Sequence, residues 1–264
     1  ALMKAGIETR PYEEVEQYIR KMGQGKRVAM DMRVVNAHLA AQVPNENTLV
    51  DVVNPTGMWK AVKNETEVNN ERIAHLKDGI AITKMLYWLH HTDKKKESEI
   101  SVSDKLEEFR RLDEDYLGPS FDTISGYAEH GAIVHYSATP ESNRILEEEN
   151  FLLLDMGGHY YQGTTDITRT VMLGREATEE QKKYYTTVLR GNLALGAAKF
   201  RSGITGVNLD VLARQPLWEI GCDFLHGTGH GVGYLLNVHE GPNGFRWKNL
   251  TDHPAPILEE GMLT

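Results

Sequence analysis

The chain has 264 residues, 40% of them hydrophobic and 25% charged, with a formal net charge of −9. This is ordinary globular composition, enough for one large domain or for one domain and part of another. The negative charge and the lack of a basic stripe argue against a nucleic-acid or anionic-membrane partner, and no apolar run reaches the ~18 residues that a membrane span needs.

The cysteine content points to a reducing compartment. Cys222 is the single cysteine, which excludes an internal disulfide framework. The chain begins at Ala1 rather than at an initiator Met, so we expect it to be cut from a longer protein.

Residues 1–60 have the pattern of a small α/β piece. The predicted elements alternate between the two classes: helix 13–22, strand 27–30, helix 32–41 behind an Asp31 N-cap, and strand 49–53. They are too few to enclose a core of their own, so we interpret them as the end of a preceding domain.

A long helix is predicted over residues 65–91. Its apolar residues recur at roughly helical spacing and indicate one buried stripe: Ile73, Leu76, Ile80, Met85, Leu86 and Leu89. His90 and His91 at its end point in different directions on a helix, so we interpret them as structural rather than metal-binding.

The next elements lead to a further histidine. Ser101 is predicted to cap a second helix, which presents three apolar residues to a core: Leu106, Phe109 and Leu112. Residues 132–136 then predict a strand with His135 near its end.

The stretch from Phe151 to Thr170 predicts two strands joined at Gly157 and Gly158. In a symmetric hairpin Asp155 pairs with Asp166, and both carboxylates lie on one face. Two carboxylates held so close repel each other and lose hydration, so the pair predicts a proton or a cation between them.

Two more helices follow this hairpin. Thr178 and Gln181 form a capping box for a helix that reaches about Phe200. Another helix is expected from Asn208 to about Gly221, with Pro216 inside it.

The segment 225–242 combines glycines with His226, His230 and His239. A phosphate cradle is disfavoured, because neither a Lys-Ser/Thr pair nor a helix start follows the glycines. Beside two aspartates, the three histidines predict a metal site, and mixed carboxylate and imidazole ligands suit Mn or Co. A bridging aspartate suits a pair of metals that activates water to hydrolyse an amide or an ester.

These motifs together closely resemble the Xaa-Pro aminopeptidases of the cytosolic three-domain type, within the pita-bread metallopeptidases. The segment containing Asp155 and Asp166 carries the resemblance, together with His226-Gly-Thr-Gly-His230 and Asn237-Val-His239-Glu-Gly-Pro. It implies an α+β pita-bread (creatinase/aminopeptidase) domain over residues 61–264, preceded by the end of a creatinase-N-like domain over residues 1–60.

The resemblance also implies an activity and a set of roles. The enzyme would release the N-terminal residue that precedes proline, using two divalent ions (most often Mn, with Co or Zn as alternatives), as a cytoplasmic homodimer. The implied metal ligands are Asp155, Asp166 and His230. The implied substrate contacts are His135 and His239, with His226 lining the pocket.

The family's two remaining ligands are glutamates, the first of them a few residues beyond Thr264. Glu259 and Glu260 precede the strand concerned and do not replace them. We therefore expect three of five ligands in this 264-residue piece, an incomplete strand set, no peptidase activity and at most weak metal binding.

Two alternatives stay open. A prolidase would have the same ligands but would cleave only dipeptides. A non-catalytic peptide-binding module of the same fold would be expected to have lost Asp155, Asp166 or His230, all of which this sequence keeps.

Overall fold

The computed structural model describes residues 2–174, 176–249 and 254–264. They form two compact units, Ala1–Met58 and Trp59–Thr264. The helices are α1 (Val15–Arg20), α2 (Ala37–Ala40), α3 (Pro55–Ala61), α4 (Glu65–His91), α5 (Glu99–Arg110), α6 (Glu179–Gly196) and α7 (Gly206–Trp218).

The strands are short and mostly antiparallel. They are β1 (Arg27–Met30), β2 (Thr48–Asp51), β3 (Tyr116–Pro119), β4 (Ile124–Tyr127), β5 (Phe151–Met156), β6 (Gly158–Tyr160), β7 (Gly163–Thr164), β8 (Ile167–Met172), β9 (Gly229–His230) and β10 (Gly244–Phe245). Their pairing orders are β1-β2, β3-β6-β7, β4-β5-β8 and β10-β9, of which only β1-β2 is parallel.

In the smaller unit, the predicted helix 32–41 is wrong in its extent and in its cap. Only Ala37–Ala40 is helical, and the Asn36 side chain caps it by accepting a hydrogen bond from His38 N at 2.8 Å. Asp31 instead accepts from the Arg33 guanidinium at 2.7 Å and from Asn54 N at 3.1 Å, so its carboxylate links the segments that follow the two strands.

Helix α4 confirms the predicted bounds but not the predicted buried stripe. Ile73, Leu76 and Ile80 are exposed, whereas Met85 and Leu89 are buried. The inward face of its first half carries small and acidic residues in their place: Glu71, Ala74, Asp78 and Ala81. This face turns inward because its carboxylates have buried partners elsewhere in the fold.

The N-cap of helix α5 lies three residues before the predicted one. Ser98 is the N-cap, since its hydroxyl accepts from Ser101 N at 3.2 Å while Ser101 Oγ accepts from Ser98 N at 2.8 Å. Leu106 is buried, but Leu112 lies beyond the helix and is 68% exposed.

The core of the larger unit lies between helices α4 and α5 and the β4-β5-β8 sheet. Strand β5 alternates strictly, with Leu152, Leu154 and Met156 each 0% exposed. Period-two burial of this kind is expected of a strand with one face on a core. The alternation turns Asp155 to the opposite face, away from these leucines.

The predicted hairpin pairing of Asp155 with Asp166 is wrong. Asp155 lies opposite Thr168, and Met156 lies opposite Ile167. The chain between the strands is not a tight turn, because β6 and β7 leave to form another sheet with β3. Asp166 therefore stands just before β8, two residues from the predicted register.

The strand predicted over residues 132–136 does not form. A 3-10 helix covers Ala128–Ala132, and His135 has a left-handed backbone with φ 59°. The buried Glu99 carboxylate holds this segment by accepting from Tyr127 N, Arg144 N and the Tyr136 hydroxyl at 2.8, 3.1 and 2.9 Å. Side-chain anchoring takes the place of strand pairing here.

Helices α6 and α7 confirm the last two predicted helices with small shifts at their ends. The Thr178–Gln181 capping box is present, and α6 ends at Gly196 rather than near Phe200. Helix α7 ends at Trp218 and contains Pro216. Among the described residues, no helix has the length and apolar character to cross a bilayer.

Candidate metal centre

Asp166 and His230 meet at the centre of the candidate site. Asp166 Oδ2 lies 3.0 Å from His230 Nε2, and both side chains are partly shielded from solvent. Asp166 directly precedes β8, and His230 ends β9. Two separate parts of the chain thus deliver a carboxylate and an imidazole to one point.

His239 completes a cluster of three potential ligands. Its ring centroid lies 4.0 Å from that of His230 in an edge-to-face arrangement. Asp166, His230 and His239 each offer a ligand atom, and these atoms all lie within 4.8 Å of one another. The spacing allows one metal ion to contact all three residues.

Asp155 lies beside this cluster on β5. Its Oδ1 accepts a hydrogen bond from Thr168 Oγ1 at 2.7 Å. Burial raises the pKa of the Asp155 carboxyl, and the negative charge of Asp166 raises it further against the opposing effect of the Thr168 hydrogen bond. The two carboxylates are therefore close enough to repel each other electrostatically, although they are not paired in the sheet.

The pKa values of His230 and His239 are shifted in opposite directions by their surroundings. The hydrogen bond with Asp166 raises the pKa of His230 against the opposing effect of burial. Burial lowers the pKa of His239, and the neighbouring His230 lowers it further. His239 is thus biased toward the neutral imidazole.

The other two predicted histidines differ in their positions. The His135 ring centroid lies 6.4 Å from that of His239, at the edge of the cluster. His226 is exposed, stacks on Phe224 at 4.9 Å, and has its Nδ1 2.7 Å from the Gly227 carbonyl. Within the described part of the chain, no contact joins His226 to the cluster.

Glycines let the segment carrying His239 fold back against β9. Glu240 N donates to Gly231 O at 2.7 Å, and Gly233 N donates to Asn237 O at 2.9 Å. A Cβ on Gly231 would lie 2.0 Å from Glu240 O, so only glycine permits this approach. The glycines serve backbone contact rather than phosphate binding.

The donor set fits a divalent metal ion. Carboxylate oxygens and imidazole nitrogens together suit Mn, Co, Zn or Fe. The raised pKa of Asp155 supports the same reading, because a cation beside two neighbouring carboxylates would offset their repulsion.

Comparison with protein families agrees with this geometry. The family model described as metallopeptidase family M24 matches residues 69–264. The chain belongs to this M24 family. The creatinase/prolidase N-terminal domain matches residues 1–67, and the expected pita-bread fold is confirmed.

Curated relatives of this M24 chain are Xaa-Pro aminopeptidases. A probable Xaa-Pro aminopeptidase P of Botryotinia fuckeliana is 48% identical over 197 residues, which are 74% of this chain and 30% of the relative. Xaa-Pro aminopeptidase 1 of Dictyostelium discoideum is 38% identical over 267 residues, covering 98% of this chain and 42% of the relative. The M24 chain thus spans less than half the length of these relatives.

Solved structures give the same picture. The X-prolyl aminopeptidase of Caenorhabditis elegans, described as a cytosolic enzyme with a di-nuclear active site, has a TM-score of 0.85 and 34% identity, covering 99% of this M24 chain and 43% of that one. The Xaa-Pro dipeptidase of Bacillus anthracis has a TM-score of 0.75 and 26% identity, covering 97% and 68%.

The M24 site depends on residues that the sequence reasoning missed. Lys63, almost fully buried, donates from Nζ to Val232 O at 2.7 Å and lies 3.5 Å from Glu240 Oε1. It thereby holds the segment that carries His239. A signal was present for one of them, because Glu240 follows His239 directly in the sequence.

Proposed function

We propose that this chain forms the metal-binding part of an Xaa-Pro aminopeptidase, which releases the N-terminal residue preceding proline. The observation that carries the proposal is the contact between Asp166 and His230 at 3.0 Å, with Asp155 beside them and His239 in the same cluster. The aminopeptidase relatives and the di-nuclear solved neighbour support it. The proposal concerns the whole protein, of which this chain matches 30–42% in those two relatives.

In this proposal, Asp155, Asp166 and His230 hold two divalent ions, with Mn as the expected metal. Bound ions would supply Lewis acidity and lower the pKa of a water molecule. Asp166 lies 3.0 Å from His230, and its charge also acts on Asp155, so it would be the ligand shared by the two sides of the site. These three residues are the ones that the chain offers of the five ligands that the resemblance implies.

The remaining histidines are assigned to the substrate. His239, biased toward its neutral form, can donate a hydrogen bond to a peptide carbonyl without adding positive charge beside the metal ligands. His135 lies at the edge of the cluster, where it can contact the peptide chain. His226 is assigned to the pocket wall alone, since its exposed ring faces Phe224.

The test measures cleavage of peptides with proline in the second position by the native protein that carries this sequence. We expect Mn²⁺-dependent release of the first residue, loss of activity with a chelator, and loss in Asp166→Asn. His90→Ala is the matched control and should retain most of the activity, because His90 is exposed at the end of α4 and lies outside the cluster. Absence of cleavage both with Mn²⁺ and with chelator would exclude the proposal.

Prolidase activity is the second candidate, supported by the structural likeness to the Bacillus anthracis dipeptidase. Both activities use the same kind of ligand set, so metal content does not separate them. Peptide length does, because a prolidase would cleave an Xaa-Pro dipeptide and leave the tripeptide intact. We expect the tripeptide to be cleaved.

The domain boundary, the assembly and the compartment belong to the same proposal. Residues 1–60 are assigned to the end of a creatinase-N-like domain and residues 61–264 to the metallopeptidase domain. We expect a cytoplasmic homodimer, which light scattering of the native protein and its fractionation from cells would test.

A further inference from the structure

A buried polar cluster lies directly behind Asp166. Asp78 on α4 is 0% exposed and receives the Arg110 guanidinium from α5 at 2.7 and 3.0 Å. Its Oδ2 also accepts from Thr165 Oγ1 at 2.5 Å. We call Thr165, Asp78 and Arg110 the first anchor, and its threonine directly precedes Asp166.

The backbone of Thr165 is also fixed. Thr165 N donates to Gly158 O at 2.9 Å, and Thr165 O accepts from Ser120 Oγ at 2.9 Å. Gly158 N in turn donates to Thr165 Oγ1 at 2.9 Å. With its amide, carbonyl and hydroxyl all engaged, Thr165 leaves the next residue little freedom to move.

The same arrangement recurs behind His230. Asp210 and Arg214 on α7 are each 1% exposed and pair at 2.7 Å. Asp210 Oδ1 accepts from Thr228 Oγ1 at 2.5 Å, and Thr228 N donates to Phe245 O at 3.0 Å. We call Thr228, Asp210 and Arg214 the second anchor, and its threonine lies two residues before His230.

The two anchors share one chemistry in different helices. In each, a buried arginine pairs with a buried aspartate, and that aspartate accepts a hydrogen bond from the hydroxyl of a threonine within two residues of a proposed metal ligand. A buried ion pair is weak evidence for stability, because desolvation offsets much of its attraction. A role in fixing the ligand backbone accounts for the repetition better than stability does.

We propose that Asp78 and Asp210, acting through Thr165 and Thr228, are positioning residues that hold Asp166 and His230 at the separation that a metal ion requires. The inference rests on the proposed function for the metal itself. The positioning can be read without metal, because Asp166 and His230 already contact each other at 3.0 Å.

The experiment replaces the hydroxyls and keeps both ion pairs. Thr165→Val and Thr228→Val remove the donors at nearly constant volume, and Thr165→Ser and Thr228→Ser restore them. Thr187→Val is the matched control, because Thr187 is also buried but its hydroxyl donates within α6, to Lys183 O at 2.8 Å.

Two signals are measured on each folded variant of the native protein that carries this sequence. The first is the Nε2 nitrogen resonance of His230 in the metal-free protein, which reports its hydrogen bond to Asp166. The second is Mn²⁺ affinity, measured by electron paramagnetic resonance. We expect both valine variants to shift the His230 resonance and to weaken Mn²⁺ binding about 10- to 100-fold, the usual range for residues that orient ligands.

The serine variants should recover both signals, and Thr187→Val should change neither. An unchanged His230 resonance in both valine variants would overturn the proposal, whatever happens to their melting temperatures. If the unsubstituted protein bound no Mn²⁺, the proposed function would fall, while the metal-free resonance would still decide the role of the anchors.

Discussion

Glu71 is a strongly perturbed carboxyl of the larger unit, and it lies outside the cluster of Asp166, His230 and His239. It is 2% exposed, and its Oε1 accepts from Thr164 N at 3.1 Å. Burial raises the pKa of Glu71 to about 7, against the opposing effects of the Thr164 hydrogen bond and the charge of Lys63. His75 lies 3.6 Å away on the same helix.

This pKa makes stability depend on pH. The unfolded chain releases the Glu71 proton near 4.5 and the folded chain near 7, so the folded state binds more protons between these values. The free energy of unfolding should therefore fall by about 3 kcal/mol as the pH rises through this window. Glu71→Gln should remove that decline, which urea unfolding at several pH values would measure.

The control for Glu71→Gln is Glu176→Gln, since Glu176 is exposed on the loop before α6. It should follow the pH profile of the unsubstituted protein. Parallel profiles for the Glu71→Gln variant and the unsubstituted protein from about pH 5 to about pH 8 would contradict the argument.

At the level of residues, the sequence predicted the residue types of the candidate metal cluster but not the strand register of Asp155 and Asp166. His230 could be predicted because glycines flank it directly, and His239 because it follows His230 within nine residues. The predicted pairing of Asp155 with Asp166 was wrong because β6 and β7 lie between β5 and β8 in the chain. A symmetric hairpin assumes that the two strands are joined directly by a turn. Glu71 was missed because its burial depends on Thr164, far along the chain.

Helices α6 and α7 cross where α6 carries Gly191. A Cβ at Gly191 would lie 2.2 Å from Ala213 O of α7, so the helices would have to separate. Gly191→Ala should destabilise the protein by about 1–3 kcal/mol, the usual cost of overpacking a close contact. Thermal and urea unfolding would measure this loss.

The same glycine-to-alanine substitution at Gly79 is expected to have the opposite effect on stability. It lies inside α4, and a Cβ there would meet no atom within 4 Å. Gly79→Ala should stabilise the protein by about 0.5–1 kcal/mol, because alanine loses less backbone entropy than glycine in a helix. Equal effects of the two substitutions would show that the helix contact at Gly191 is not close.

At the level of elements, local sequence signals predicted where helices begin and end better than they predicted which helix face is buried. The bounds of α4 and the capping box at Thr178 follow from short-range patterns. The buried face of α4 could not be predicted from apolar spacing, because Asp78 turns inward to reach Arg110 on another helix. The segment around His135 failed for a similar reason, since the Glu99 carboxylate anchors it from a distance.

For the whole larger unit, the segment 257–264 joins parts that are distant in sequence. Leu258 N donates to Ile204 O at 2.9 Å just before α7, and Lys63 N donates to Gly261 O at 3.0 Å just before α4. Asn243 Nδ2 donates to Leu263 O at 2.8 Å, beside the segment that carries His239. The two helix pairs and the candidate site are therefore tied through one segment.

Deleting residues 257–264 should weaken all three connections together. The segment also accepts from Val232 N at Leu263 O, at 3.3 Å. Each lost hydrogen bond contributes about 1 kcal/mol, so the loss of these four should lower the free energy of unfolding by about 4 kcal/mol. The amides of Lys63 and Val232 lose their acceptors, Gly261 O and Leu263 O, and should exchange faster with solvent in hydrogen-exchange measurements. The amide of Leu173, bonded to Asn150 O within the sheet region, should keep a slower exchange than either of them.

Deleting residues 1–7 of the other unit is the control and should leave the exchange of Lys63 and Val232 unchanged. Acceleration at Lys63 without acceleration at Val232 would mean that the segment supports the start of α4 but not the loop that carries His239.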